Sequence, residues 1–382
     1  MRGPPVKPVF LTQLFSRWTN DEILQKYFFC NSFRVLDKGC QFLIKEVIEK
    51  GSQEPEELVF RVILFNLFTR IETWQLLAKK LGPLMWKTYD RNKYAKVLAD
   101  AFARGRALYT DAFIKPAPHF GRKRNYENHL LFLELLMDNK LYSRLLVAPY
   151  MANVYEYLYS FPSLGSFSAY QLMLNLSYTN VLNFHRNDFV VSGPGSISGL
   201  HKLFGKSWKA SDSDLVFQQE VMRHLVDTQD YHFNRLGLKF SGLGPKKLPM
   251  DIADIEHTLC EVDKYCRVAH PQLKGARRHI TRLFDSGSKC PKVNPAYLPK
   301  ACNHPARRVP RIRPDKELRL EKRYEINYIK AHRDQAGVRQ YLVYWVGYPD
   351  EDATWEFESS LTDEAPAAVQ DYLKKLSVPN KH

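Results

Sequence analysis

The segment Gln340-Tyr-Leu-Val-Tyr-Trp-Val-Gly-Tyr-Pro349 decides the fold at the C-terminal end of this 382-residue chain. Its apolar and aromatic residues, closed by Gly-Tyr-Pro, are typical of a strand that ends in a tight turn. A shorter apolar run opens at Tyr324. The acidic segment Asp350-Glu-Asp-Ala-Thr-Trp-Glu356 then leads into an amphipathic stretch that ends at Leu376. This order predicts a small β-domain followed by a helix.

Three aromatic residues of this region, Tyr324, Trp345 and Tyr348, are spaced so that they could wall one pocket. An aromatic box with an acid on its rim binds a quaternary ammonium group by cation–π attraction, about 0.5–2 kcal/mol per good contact. We therefore predict a binding site for a quaternary ammonium group. The alternative is that the rings only fill a core, an interpretation that we prefer for Trp355.

Residues 321–376 resemble a chromodomain. The resemblance implies an α+β domain over 321–378, with a three-stranded antiparallel sheet and a C-terminal helix. It also implies a methylated histone tail as partner, a chromatin context and a nuclear location. Phe357 and Ser360 depart from the residues usual in the family, which leaves the histone mark open. The methyl-lysine cage of the family falls on Tyr324, Trp345 and Tyr348, with Asp352 as the rim acid.

Charge is distributed unevenly along the chain. Residues 321–376 hold 7 Lys/Arg and 11 Asp/Glu, a net of −4, whereas residues 1–320 hold 48 Lys/Arg and 30 Asp/Glu, a net of +18. A basic body is typical of proteins that bind nucleic acid, and an acidic end suits a basic histone tail. A basic surface that is merely solvated remains the alternative.

Residues 286–320 are predicted to form a linker because they hold six Pro, nine Lys/Arg and only two acids, without periodicity. Within it, the run Arg307-Arg-Val-Pro-Arg-Ile-Arg313 is a nuclear import patch, a phosphate contact or an inert tether. The six cysteines are scattered, and Cys290, Cys302 and His304 are only loosely compatible with a metal, so we predict no metal and no cofactor. The sequence lacks a signal-peptide pattern and a run long enough to span a membrane.

Residues 1–285 are predicted to be one large, mostly helical body. The Gly193-Pro-Gly195 turn stands out because it leads into a helix start at Ser196, where outward N–H groups favour phosphate. The turn resembles the helix-hairpin-helix of DNA-repair glycosylases, and this resemblance implies that Gly193, Pro194 and Gly195 hold a DNA backbone. A second turn, Gly242-Leu-Gly-Pro-Lys-Lys247, offers the same chemistry through Lys246 and Lys247, and a plain loop is an equal alternative. Apolar residues have helical spacing in segments 10–27, 55–81, 91–106, 126–140, 142–161, 168–183, 212–236 and 251–268.

Charged residues also interrupt apolar helical segments. Arg70 and Glu72 are predicted to lie in the middle of one such segment, where a buried charge is costly unless it is paired. Glu256, Glu261 and Lys264 lie in another. For each carboxylate, a structural ion pair is the alternative to a catalytic role.

These segments, with Tyr109-Thr-Asp-Ala-Phe-Ile114, Asn128-His-Leu130 and the Gly-Pro-Gly turn, resemble a known family over roughly 20–285. It is the helical domain linked to 5-hydroxymethyluracil DNA kinases, the α-glutamyl/putrescinyl-thymine pyrophosphorylase family. The resemblance implies an all-α, glycosylase-like fold and DNA base hypermodification. In that chemistry, an amine replaces the pyrophosphate of an activated hydroxymethyl-pyrimidine in DNA.

The implied reaction needs an extruded base, cations for the leaving pyrophosphate, and an acid–base group for the amine. We assign charge neutralisation to Arg70 and Lys264, and proton transfer to Glu72, Glu256 or Glu261. Tyr170 and Gln171 are predicted to line the base pocket. The sequence has no phosphate-binding kinase loop of the G-x-x-x-x-G-K-[ST] type, so phosphorylation of DNA by this chain is not expected.

Two function classes follow. The first is a chromatin-targeted DNA base-modifying transferase. The second is a non-catalytic chromatin adaptor, or a domesticated mobile-element protein, that binds DNA and methylated histone tails. Convergence of the five candidate catalytic residues near the Gly193–Gly195 turn would favour the enzyme.

Overall fold

The structure is a computed structural model. It describes residues 19–110, 116–205, 214–240, 242–273, 275, 277–284, 296–314, 324, 326–335, 338–348 and 350–377. The chain divides into two compact units, each built from two separate stretches of sequence. Unit 1 comprises 1–45 with 185–318, and unit 2 comprises 46–184 with 319–382.

The helices are α1 (Glu22–Lys26), α2 (Lys38–Phe42), α3 (Pro55–Phe68), α4 (Ile71–Leu81), α5 (Arg91–Ala103), α6 (Asn125–Asp138), α7 (Leu141–Val147), α8 (Met151–Ser160), α9 (Ser166–Leu176), α10 (Pro194–Phe204), α11 (Leu215–Arg235), α12 (Ile252–Ala269), α13 (Glu358–Glu364) and α14 (Pro366–Ser377). A π-helical segment, Leu43–Ile48, follows α2. The strands are β1 (Ile326–Gln335), β2 (Val338–Trp345) and β3 (Thr354–Phe357). This helical body with a small α+β domain confirms the predicted fold class.

Unit 1 is organised around α12, which begins with a reciprocal capping box between Asp251 and Asp254. Such a box satisfies backbone donors that a helix start leaves open. Part of the predicted linker packs on this unit, because the amide N–H of Tyr297 donates to Gln41 and that of Arg311 donates to Asp188. The described part of the linker is therefore not a free tether.

Unit 2 is centred on α3, which is buried on nearly all sides. The prediction of one helix over 55–81 is wrong. Thr69 adopts a left-handed conformation (φ 53°) and closes α3 through its N–H to the carbonyl of Phe65. The segment 142–161 likewise forms two helices, because Pro149 disfavours helical backbone at Ala148.

The three strands form an antiparallel sheet in the order β1-β2-β3. Residues of β1, β2, α13 and α14 form one buried hydrophobic cluster: Ile329, Tyr341, Val343, Leu361, Val369 and Tyr372. Burial at the alternate positions 341 and 343 of β2 shows the period of two expected of a half-buried strand. Because β3 ends at Phe357, the chain is helical from Glu358 onward.

Candidate functional sites

An aromatic cluster lies at the open end of the small sheet. The ring centroids of Tyr324 and Trp345 are 5.7 Å apart, and those of Tyr324 and Tyr348 are 5.5 Å apart at an interplanar angle of 75°. Tyr324 remains 46% exposed. The three predicted cage residues are thus brought together, and one of them faces solvent.

Local contacts fix the rings of this cluster. The indole N–H of Trp345 donates to the hydroxyl of Thr354 at 3.0 Å. Burial raises the pKa of Tyr348 to about 12, with the neighbouring Tyr324 and Asp352 adding to the shift. Asp352, the predicted rim acid, is therefore close enough to act electrostatically on the cluster.

The turn between the cage residues needs a glycine. Gly347 has φ +79°, and a Cβ at this position would lie 2.5 Å from Leu135 and 3.0 Å from Pro162. Positive φ disfavours a residue with a Cβ, and a Cβ here would require the side chains of Leu135 and Pro162 to shift. The turn that carries Trp345 and Tyr348 is consequently seated against the helical part of unit 2.

The helix that was expected to start at Ser196 starts two residues earlier, at Pro194, with Gly193 as the N-cap of α10. The N–H of Gly193 donates to Glu256 at 3.0 Å, and the hydroxyl of Ser196 donates to the same carboxylate oxygen at 2.8 Å. Glu256 is buried, and burial raises its pKa against the effect of both hydrogen bonds. The carboxylate of Glu256 therefore occupies the position at the start of α10 where the helix dipole favours a negative charge.

The glycines of α10 allow it to approach α12 closely. A Cβ at Gly195 would lie 2.8 Å from Sγ of Cys260, and a Cβ at Gly199 would lie 2.3 Å from the carbonyl oxygen of Leu259. Gly195 was predicted to let a DNA backbone approach closely. In the structure it lets α12 approach α10 closely. Its role toward DNA stays a prediction.

Glu261 and Lys264 form a half-buried ion pair at 2.6 Å on α12. Glu261 also accepts the backbone N–H of Cys30 at 3.0 Å, and burial, then Glu261, raises the pKa of the Cys30 thiol to about 11. Burial lowers the pKa of His257, while Asp37 acts in the opposite sense. These groups form a titratable cluster in unit 1.

Arg70 and Glu72 occupy a helix junction, not the helix interior that was predicted. Arg70 is the N-cap of α4, its Nε lies 3.4 Å from Glu72, and its Nη1 donates to the carbonyl of Tyr109 at 3.2 Å. The side chain of Glu72 is 64% exposed. These two residues belong to unit 2, whereas Glu256, Glu261 and Lys264 belong to unit 1.

The remaining predicted residues have different surroundings. Tyr170 and Gln171 are buried in the core of unit 2 at 1% and 5% exposure. Lys246 and Lys247 lie in a turn closed by a bridge between Leu243 and Leu248, and Lys246 contacts the side chain of Asn303. In the described part of the chain no cluster of His, Cys, Asp or Glu is suited to a metal, and Cys290 falls outside it.

Sequence reasoning missed a cavity of about 490 Å³ in unit 2. Basic and aromatic residues occur together in the two segments that line it, 102–110 and 123–126, and that combination was the available signal. The lining residues are Phe102, Arg106, Ala107, Leu108, Tyr109, Thr110, Lys123, Arg124, Asn125 and Tyr126.

Comparison with known proteins identifies both parts of the chain. Residues 11–275 match the model of the "5-hmdU DNA kinase, helical domain" family, and residues 324–375 match that of the "Chromo (CHRromatin Organisation MOdifier) domain". A curated relative, the "5-hmdU DNA kinase" of Bacillus phage SP10, is 25% identical over 267 residues. The match takes in 65% of this chain and 40% of the relative. No solved structure matches the chain. Among the described helices none is sufficiently long and apolar to cross a bilayer.

Proposed function

Because the chain belongs to the 5-hmdU DNA kinase helical-domain family, we propose that it is a chromatin-targeted DNA base hypermodification enzyme. Its helical body transfers an amine onto an activated hydroxymethyl-pyrimidine in DNA, and its chromodomain binds a methylated histone tail in the nucleus. The observation that carries the proposal is that one chain joins this family's helical body to a chromodomain in which three aromatic rings lie together.

The reaction is a substitution at the exocyclic methylene carbon of the base. A bond forms between this carbon and the amine nitrogen, and the carbon–oxygen bond to pyrophosphate breaks. Pyrophosphate leaves with the bonding electron pair, and the nitrogen loses one proton. The protein must therefore extrude the base, neutralise the leaving group and accept that proton.

Two acid–cation pairs are candidates for the chemistry: Glu261 with Lys264 in unit 1, and Glu72 with Arg70 in unit 2. We assign proton transfer to the acid of one such pair and neutralisation of pyrophosphate to its cation. Glu261 is the better candidate among the buried carboxylates because its side chain keeps 15% exposure and its partner Lys264 keeps 22%. Glu256 is less suited because its carboxylate already accepts hydrogen bonds from Gly193 and Ser196.

The test is turnover by the full-length chain on DNA that carries a pyrophosphorylated 5-hydroxymethyl-deoxyuridine, with a panel of amino acids and polyamines as donors. Nucleoside mass spectrometry should detect the amine adduct and release of pyrophosphate. The matched control is the same DNA with an unactivated hydroxymethyl base, which should give no adduct. Absence of the adduct with every donor would overturn the enzymatic proposal.

A non-catalytic adaptor is the second candidate. It is favoured by one observation: Glu256 and Glu261 both bind backbone amides of their own unit, those of Gly193 and Cys30. An adaptor would bind DNA and a trimethyl-lysine peptide at full strength and give no turnover in the same assay.

A further inference from the structure

The cavity in unit 2 has one wall that is fastened by three side chains at the junction of α3 and α4. The hydroxyl of Thr73 donates to the carbonyl of Leu108 at 2.7 Å, and Arg70 donates to that of Tyr109. The hydroxyl of Thr69 lies 2.6 Å from that of Thr110. The break between α3 and α4 therefore places these three side chains where they contact the cavity wall.

The opposite wall is fastened by Asn128, which is 5% exposed. Its Oδ1 accepts the N–H groups of Phe120 and Arg122 at 3.2 Å, and its Nδ2 donates to the carbonyl of Arg122 at 2.9 Å. Three hydrogen bonds from one buried side chain hold the loop that carries Lys123 and Arg124. Both walls are thus preorganised by buried polar contacts.

The lining combines cations with aromatic faces. Arg106, Lys123 and Arg124 are exposed, and no carboxylate occurs among the described lining residues. The guanidinium carbon of Arg124 lies 4.7 Å from the ring centroid of Phe102, which is itself 45% exposed. A cavity with this charge favours an anion, and an exposed aromatic face offers a stacking surface for a base.

One tyrosine of the cavity lining, Tyr109, is hydrogen-bonded to a buried histidine. The hydroxyl of Tyr109 lies 2.9 Å from Nδ1 of His129, a side chain that is 1% exposed. The ring of Tyr109 also stacks on Phe68 at 5.2 Å. Tyr109 is therefore held in one orientation, as a residue that contacts a bound base should be.

We infer that this cavity receives a pyrimidine base that bears a phosphate or pyrophosphate and is still attached to DNA. The inference rests on the proposed function and names the place where its substrate binds. The volume falls in the range of small-molecule sites, roughly 300–1,000 Å³. Phe102 and Tyr109 supply the faces for the ring, and Arg106 and Lys123 neutralise the phosphate. Because these cations are exposed, they also suit the phosphodiesters that flank the base.

The test is fluorescence anisotropy with the full chain and a labelled single-stranded 15-mer that holds one 5-phosphomethyl-deoxyuridine. A matched strand holds 5-hydroxymethyl-deoxyuridine at the same place. We expect the phosphorylated strand to bind at least tenfold more tightly. The R106M/K123M double variant should lose this preference. Lys96→Met, at an exposed lysine of α5 outside the cavity, should keep it.

Each other outcome overturns the inference. Equal binding of the two strands would remove the phosphate site, and an unchanged preference in R106M/K123M would place it elsewhere. Full competition by inorganic pyrophosphate alone, with no gain from the strand, would make the ligand a free small anion. The binding readout is independent of turnover: an intact preference without turnover would sink only the enzymatic proposal, and turnover unaffected by R106M/K123M would sink only this inference.

Discussion

The backbone N–H of Gly193 donates to the carboxylate of Glu256 at 3.0 Å, which ties the start of α10 to the second turn of α12. The carboxylate is buried, so its charge is costly, and its pKa is raised above its ordinary value of 4.5. The turn chosen from sequence as a phosphate site thus already holds an internal anion.

This relationship predicts a pH dependence of stability. Because the folded chain binds the Glu256 proton more tightly than the unfolded chain, this group's contribution falls as pH rises above about 4.5. The free energy of unfolding of the wild type, minus that of Glu256→Gln, should therefore decrease between pH 4.5 and 7. Urea denaturation across this range measures it. A difference that stays constant or rises with pH would contradict the raised pKa.

Helix packing predicts a second effect on stability. Gly195→Ala places a Cβ 2.8 Å from Sγ of Cys260, and overpacking of this kind costs about 1–3 kcal/mol. Cys260→Ala removes that sulfur and should restore most of the loss in the double variant. Gly199→Ala should not be rescued in this way, because its Cβ meets the backbone carbonyl of Leu259. Thermal unfolding of the four variants checks the cycle, and additive losses at 195 and 260 would contradict it.

The sequence predicted features that depend on nearby residues and did not predict contacts between distant ones. Trp345 and Tyr348 could be placed near each other because a strand with a tight turn fixes the positions of its side chains within a few residues, whereas Tyr324, which precedes β1, was assigned from the resemblance to a chromodomain. The start of α10 was predicted to within two residues because Gly and Pro act locally. Glu256 was found as a charged residue among apolar ones, but its partner lies 63 residues away in sequence. No local rule supplies such a contact.

The cavity shows the same limit. Its two walls come from segments that are more than ten residues apart, and they are held by Thr73 and Asn128, which are ordinary helix residues in the sequence. The helix break at Thr69 was missed because a β-branched residue rarely adopts positive φ. Tertiary contacts to residues 108–110 favour it here.

The aromatic cluster predicts the effect of Trp345→Ala on peptide binding. Loss of one cage wall should weaken binding of a trimethyl-lysine histone peptide at least tenfold, because each cation–π contact contributes about 0.5–2 kcal/mol and the cage acts as a unit. Leu373→Ala, at an apolar residue of α14 that is 43% exposed and outside the cluster, is the matched control. Isothermal titration calorimetry checks both variants. Equal affinity of Trp345→Ala and wild type would remove the cage assignment.

The basic residues predict salt-dependent DNA binding. Residues 1–320 carry a net charge of +18, so binding should release counterions and weaken steeply with salt. If Lys246 and Lys247 contact phosphates, K246Q/K247Q should reduce the log–log salt slope by about 1.5, near 0.7–0.9 per lost contact. K79Q/K80Q, in the exposed last turn of α4, should leave it unchanged. A wild-type slope near zero would count against a DNA substrate.

The final prediction separates a catalytic role of Glu261 from a structural one. Glu261→Gln keeps the shape of the side chain and an oxygen that accepts the N–H of Cys30, but it removes the base. If Glu261 accepts the proton of the amine, turnover should fall by about 10²–10⁴ while DNA affinity and the unfolding midpoint stay close to wild type. Lys264→Met breaks the same ion pair from the other side. If the pair is only structural, both variants should lose stability together and retain turnover per folded molecule. In that case the assignment of the proton acceptor moves to Glu72.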